Sequence, residues 1–308
     1  MNERFVYDPA EGRMGGVRAS EVERTLEKQK YASNLNAYKS VEGENFLDAI
    51  NWRGMQEIFE GLARKIDPER EKEMHIAGRD DVYFVKGQLA FQRPALRIIE
   101  LDFDGIRARA TKFNNPVLAD LYTLKILLHE QAHIATGGEY GFLRGSAEGV
   151  WLGEGLDELI AQRLLPEYVR LYGFKNYTVE DVKLFLNRIT DEGDLRTYDI
   201  ACGFIEAVIA LFARDYAIPS DNREQVFNGL MRAHFRDADL LSEGYREVFT
   251  AVFGKDKMPE IAKAPTARVL LMLLTDSDVL MMRLRDIDAP LAVRLNRLLE
   301  SPIKDDYK

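Results

Sequence analysis

At 308 residues, 46% of them hydrophobic and 30% charged, the chain is long enough to bury one large core or two small ones. Asp and Glu outnumber Lys and Arg by 51 to 42, and a net charge of −9 speaks against a nucleic-acid partner, which needs a basic face. Cys202 is the only cysteine, so internal disulfides and Cys-x-x-Cys metal sites are excluded.

The opening residues, MNERFVYDPAEGRMGG, carry Glu3, Arg4 and Asp8 and lack the apolar run of a secretion leader. With the single cysteine, this predicts a cytoplasmic protein. Residues 1–45 are polar and read as an arm or a surface helix. From Phe46 to Ile66 apolar residues recur at three- and four-residue intervals (Ile50, Met55, Ile58, Phe59, Leu62, Ile66), which predicts a packed helix. Between Asp81 and Ala110, β-branched and aromatic residues punctuated by Gly87, Pro94 and Gly105 predict two to four short strands. Asn115 and Pro116 then offer an N-cap and a first helical residue, and the helix they start is expected to stop at Gly137 and Gly138.

From Trp151 onward nearly every segment has helical periodicity. The longest apolar block, Val269 to Leu274, is far short of the roughly 20 residues that span a bilayer, so no membrane partner is expected. The expected fold class is α+β, with a small mixed strand-containing N-terminal part packed on a predominantly helical C-terminal part. The expected divisions are 1–45, 46–136 and 137–308, with the candidate site at the junction of the last two.

That site is the stretch LYTLKILLHEQAHIATGG, which holds two of the chain's four histidines. Residues four apart share one helical face, so His129 and His133 can direct imidazole nitrogens at one metal ion. Glu130 is turned about 100° from His129, where its carboxylate reaches a water instead of the metal. A catalytic zinc ion takes three protein ligands and keeps one position open. Downstream carboxylates that can supply the third are Glu139, Glu148, Glu154, Asp157 and Glu158. The Gly-Glu-Gly setting in WLGEGLDELIA singles out Glu154, with the glycines permitting close approach to the first helix. Glu158 follows at i+4, placed to accept a hydrogen bond from the far nitrogen of a ligating histidine.

His129-Glu130-Gln131-Ala132-His133 followed by WLGEGLDELIA resembles the gluzincin zinc metallopeptidases, the thermolysin-like and especially the aminopeptidase-like catalytic domains. The resemblance covers residues 120–215. It implies a zincin-like active-site helix between the two parts, one Zn2+ ion held by His129, His133 and Glu154, Glu130 as general base and Glu158 as support. It also implies Tyr198, in TYDIACGFIEAVIALF, as the donor to a developing oxyanion. The 20 residues between His133 and Glu154 make a longer gap than the aminopeptidase-like branch has. No Gly-x-Met-Glu-Asn element precedes the helix, so aminopeptidase specificity is not implied. The expected activity is zinc-dependent hydrolysis of a peptide or protein substrate. The alternative is a non-catalytic binding or structural protein retaining the scaffold. His75 and His234 stand alone in sequence and are read as ordinary surface or core histidines.

Overall fold

A computed structural model describes residues 21–69, 74–87, 90–93, 96–136, 150–191, 199–215, 223–236 and 243–300. Their architecture is mostly helical, with one small three-stranded mixed sheet near the N-terminal end.

Helix α1 (Glu21–Asn34) is tied to that sheet through Tyr31, whose hydroxyl donates to Glu100 and accepts from Arg93 Nε at 2.9 Å. The periodic stretch expected as one helix is two, α2 (Val41–Asp48) and α3 (Trp52–Ile66). The break is local chemistry: the Asn51 side chain accepts a hydrogen bond from Gly54 N at 2.8 Å and so caps a new helix in place of continuing the old one. The apolar stripe still reads through, with Met55, Ile58, Phe59 and Ile66 buried.

Strands β1 (Val82–Phe84), β2 (Ala90–Arg93) and β3 (Ile98–Leu101) stand in the order β1-β3-β2. β3 is parallel to β1, with Val82 opposite Ile99, and antiparallel to β2, with Ala90 opposite Leu101. Gly87, at φ 117°, turns the chain between β1 and β2. Strand character ends sooner than the composition predicts. Asp102 accepts from Gly105 N at 3.1 Å and opens α4 (Phe103–Ala110), a helix where the sequence reading expected strand.

Helix α5 (Pro116–Ala135) is buried on every side from Asp120 onward, as a mostly apolar helix in the middle of a domain must be. Its start matches the Asn-Pro signal, since Asn115 Oδ1 accepts from Val117 N at 2.9 Å. Edge strand β2 and helix α4 pack on it from the N-terminal side, and α6 (Val150–Tyr172) and α7 (Val179–Asp191) from the C-terminal side.

The C-terminal half is organised around α8 (Asp199–Asp215), a second all-round buried helix. It touches α6, α9 (Arg223–Phe235) and α10 (Glu243–Phe253), and also α12 (Ala267–Thr275), α13 (Asp278–Ile287) and α14 (Ala289–Glu300), while the short α11 (Met258–Ala262) packs on α10. A single apolar cluster extends from Phe46 to Leu298, so the strand-bearing part and the helical part share one core. Among the described residues, no helix is long and apolar enough to cross a membrane.

Candidate metal centre

Two helices carry the centre. Along α5, Lys125, His129 and His133 follow one another at intervals of four and form a polar stripe on a mostly apolar helix. Along α6, Glu154, Glu158 and Gln162 do the same. The helices run antiparallel, so the stripes meet in reverse order. Glu158 faces both Lys125 and His129, and Glu154 faces both histidines.

The innermost atoms are His129 Nε2, His133 Nε2 and Glu154 Oε2. The two nitrogens stand 3.1 Å apart, and each is 3.3 Å from the carboxylate oxygen. Tetrahedral zinc with bonds of about 2.0–2.1 Å places neighbouring ligand atoms roughly 3.3–3.4 Å apart, so the triangle has the dimensions of three zinc corners. These residues could hold a metal ion, and among the described residues no fourth side chain joins them. Both histidines are buried, and the Glu154 side chain is 18% exposed.

The outer nitrogens are also engaged. Glu158 Oε2 lies 3.2 Å from His129 Nδ1, and Asp157 Oδ2 lies 2.8 Å from His133 Nδ1. A proton on each Nδ1 leaves the Nε2 lone pair facing the centre, the tautomer a ligand requires. Behind Glu158 stand Lys125 Nζ, at 2.7 and 2.8 Å from its two oxygens, and Gln162 Nε2 at 2.9 Å. Behind Asp157 stands His234 Nε2, at 3.1 Å from Oδ1, with Thr136 Oγ1 at 3.5 Å.

Without a cation, the charges in this pocket hold one another. Burial opposes a charged His129, but hydrogen bonds to Glu154 and Glu158 outweigh it and push its pKa up to about 9. His133 is raised well above its usual value against the same burial, by the charges of Asp157 and Glu154. Burial would raise the carboxylates, yet His133 and His129 hold Glu154 far below the usual range, and His133 and His234 do the same for Asp157. Against burial, the Lys125 charge and the His129 contact bring Glu158 down to about 2. Glu130 moves the other way: burial raises its pKa, and the attraction of His129 and His133 only partly opposes this. Among the described residues Glu154, Glu158 and Asp157 each face a basic side chain at 2.7–3.3 Å, and Glu130 has no such contact.

The structure thus brings together His129, Glu130, His133, Glu154 and Glu158. Tyr198, Glu139 and Glu148 lie outside the described residues. The Gly-Glu-Gly expectation needs two corrections. Glu154 stands in the second turn of α6 and does not open it. Gly155 makes its close approach to Ala201 of α8, not to α5.

Sequence reading missed Lys125, the role of Asp157, and His234. A lysine within LYTLKILL, four residues before His129, was a visible signal, because a charge on an apolar helix face needs a buried partner. Nothing local marked His234, which lies 77 residues from Asp157.

Gln131, in the middle of the motif, is fully buried and pairs its amide with the backbone of Ala77, accepting from N at 2.8 Å and donating to O at 2.9 Å. This fixes the segment leading into the sheet against the metal-site helix. A separate polar cleft of about 570 Å3, lined by Arg107, Asn115, Asp120 and Lys175 among others, opens at the other end of α5. It is about 20 Å along the helix from His129. No protein-family model matches the chain, and no curated protein or solved structure does either.

Proposed function

We propose that the chain is a zinc-dependent hydrolase that cleaves peptide bonds in a cytoplasmic setting. The observation that carries this reading is the His129, His133 and Glu154 triangle of zinc-like dimensions, with the buried Glu130 beside it on the same helix. His129, His133 and Glu154 would hold the ion. Zinc bound there supplies Lewis acidity, polarising a carbonyl and easing loss of a proton from water.

The protein's own contribution is proton handling. Glu130 accepts a proton from the attacking water at its carboxylate and delivers it to the departing nitrogen as the C–N bond breaks. Glu158 and Asp157 keep the imidazole lone pairs directed inward. In this reading Tyr198, which immediately precedes α8 in sequence, donates its hydroxyl proton in a hydrogen bond to the developing oxyanion.

A purely structural metal would give Glu130 no task, which favours catalysis over the binding-protein alternative. The deciding measurement is metal content beside turnover of a peptide library. Wild type should hold one zinc per chain and Glu154→Ala should lose it, while Glu130→Gln should keep zinc and lose hydrolysis. Metal-free wild type, or peptide cleavage undiminished in Glu130→Gln, would defeat the proposal.

A further inference from the structure

Two buried basic side chains that the proposed reaction does not use stand directly behind the histidines. Lys125 has a side chain 5% exposed, and an ammonium at that depth is costly unless it is paired. His234, also 5% exposed, comes from α9.

The pattern of contacts is the same on both sides. Glu158 presents Oε2 to His129 Nδ1 at 3.2 Å, while Lys125 bridges Oε1 and Oε2 at 2.7 and 2.8 Å and Gln162 holds Oε1 at 2.9 Å. Asp157 presents Oδ2 to His133 Nδ1 at 2.8 Å, while His234 holds Oδ1 at 3.1 Å. A carboxylate held from behind by a second partner is steadied against the imidazole in front of it.

We infer that Lys125 and His234 are positioning residues of the metal centre, Lys125 acting through Glu158 on His129 and His234 acting through Asp157 on His133. The inference rests on the reading of His129, His133 and Glu154 as zinc ligands. It adds that the aim of each imidazole is set three residues deep, and that α9 is wired to the centre through a single histidine.

The test measures zinc affinity of the full-length chain by competition with a chromophoric chelator, and the visible spectrum of the Co2+-substituted protein. His234→Leu should weaken zinc by about 10- to 100-fold and shift the Co2+ spectrum, with the circular dichroism of the metal-free protein unchanged. His234→Gln, whose amide can donate to Asp157 from a similar place, should recover most of the loss. Lys125→Met should weaken zinc comparably. Should that variant fail to fold, the doubly neutral Lys125→Met/Glu158→Gln protein is compared with Glu158→Gln alone, and equal zinc affinity is expected because Lys125 acts through Glu158.

Zinc affinity and Co2+ spectrum unchanged in His234→Leu would overturn the inference and leave the metal centre standing, as would further zinc loss in the double variant. Wild-type protein that binds no zinc, or binds it equally after Glu154→Ala, would remove the metal centre itself and the inference with it.

Discussion

Gly155 of α6 lies so close to Ala201 of α8 that a Cβ at position 155 would stand 2.9 Å from the Ala201 Cβ and 3.0 Å from its carbonyl carbon. Two helices meet at this distance only where one of them lacks a side chain. The neighbouring residue on α6 is Glu154, so the packing of α6 on α8 and the position of the third candidate ligand are one problem. Gly155→Ala should gain about 0.5–1 kcal/mol from helix propensity and lose about 1–3 kcal/mol to overpacking against a rigid backbone. The expected net effect is destabilisation, with weaker zinc binding as α6 shifts. Urea unfolding and a chelator competition would measure both, and a variant as stable as wild type with unaltered zinc affinity would contradict the account.

Gln131 should matter for stability without touching the chemistry. Its amide satisfies both backbone groups of Ala77 at full burial, so Gln131→Leu would strand a donor and an acceptor together. At about 1–3 kcal/mol for each orphaned group, a loss of roughly 2–6 kcal/mol is expected. Thermal unfolding of the metal-free protein would show it. Amide exchange in residues 74–78 should quicken in the variant, and exchange as slow as in wild type would show that the segment is held by something else.

Legibility in the sequence followed the range of the interactions. The α5 helix announced itself because its signals are local: an Asn cap, a Pro in the first turn and histidines four apart. Glu154 and Glu158 were readable for the same reason, being one turn apart on one helix. The Asp102 cap was equally local, and reading it would have ended the strand region at Leu101. Other features depend on which helices meet. Gly155 reads as an approach to α5 until α8 is seen beside it, and His234 joins the centre only because α9 packs on α8 and α6. Burial of Lys125 was implied by its apolar neighbours, but its partner was not, since several carboxylates lay within reach along α6.

At the far end of α5, Asp120 makes a pH-dependent contribution whose sign can be worked out. Burial would raise its pKa, but hydrogen bonds from Tyr177, Arg107 and Lys175 lower it below the ordinary 3.8. Tyr177 donates to Oδ2 at 2.5 Å and Lys175 at 3.0 Å. A depressed carboxyl contributes its full stabilisation above about pH 4 and loses it as pH falls through the folded value. Tyr177 is raised above 10.0, by burial first and then by the Asp120 contact, so its share is complete below about pH 10 and lost above that. Asp120→Asn should therefore cost about 2–4 kcal/mol at pH 7, and the gap to wild type should narrow as pH falls below about 4. Parallel urea titrations across that range would reveal it, and a gap independent of pH would refute the assignment.

Zinc should stabilise the folded chain by a predictable amount, because its three candidate ligands come from two helices and meet only in the native state. At free zinc 100 times the dissociation constant the gain is about 2.7 kcal/mol. For a chain of this size that corresponds to a rise of roughly 4 °C in Tm. The variants then separate the roles of neighbouring acids. Glu154→Ala should lose the zinc-dependent rise, since it removes a corner of the triangle. Glu130→Gln should keep it, because the Glu130 carboxylate is not among the three converging atoms. Glu158→Gln should show a smaller rise at the same zinc concentration, its weaker hold on His129 Nδ1 lowering affinity by about 10- to 100-fold, or about 1.4–2.7 kcal/mol. Scanning calorimetry with and without zinc distinguishes these three outcomes. A rise that survives Glu154→Ala would place the bound ion somewhere other than between α5 and α6.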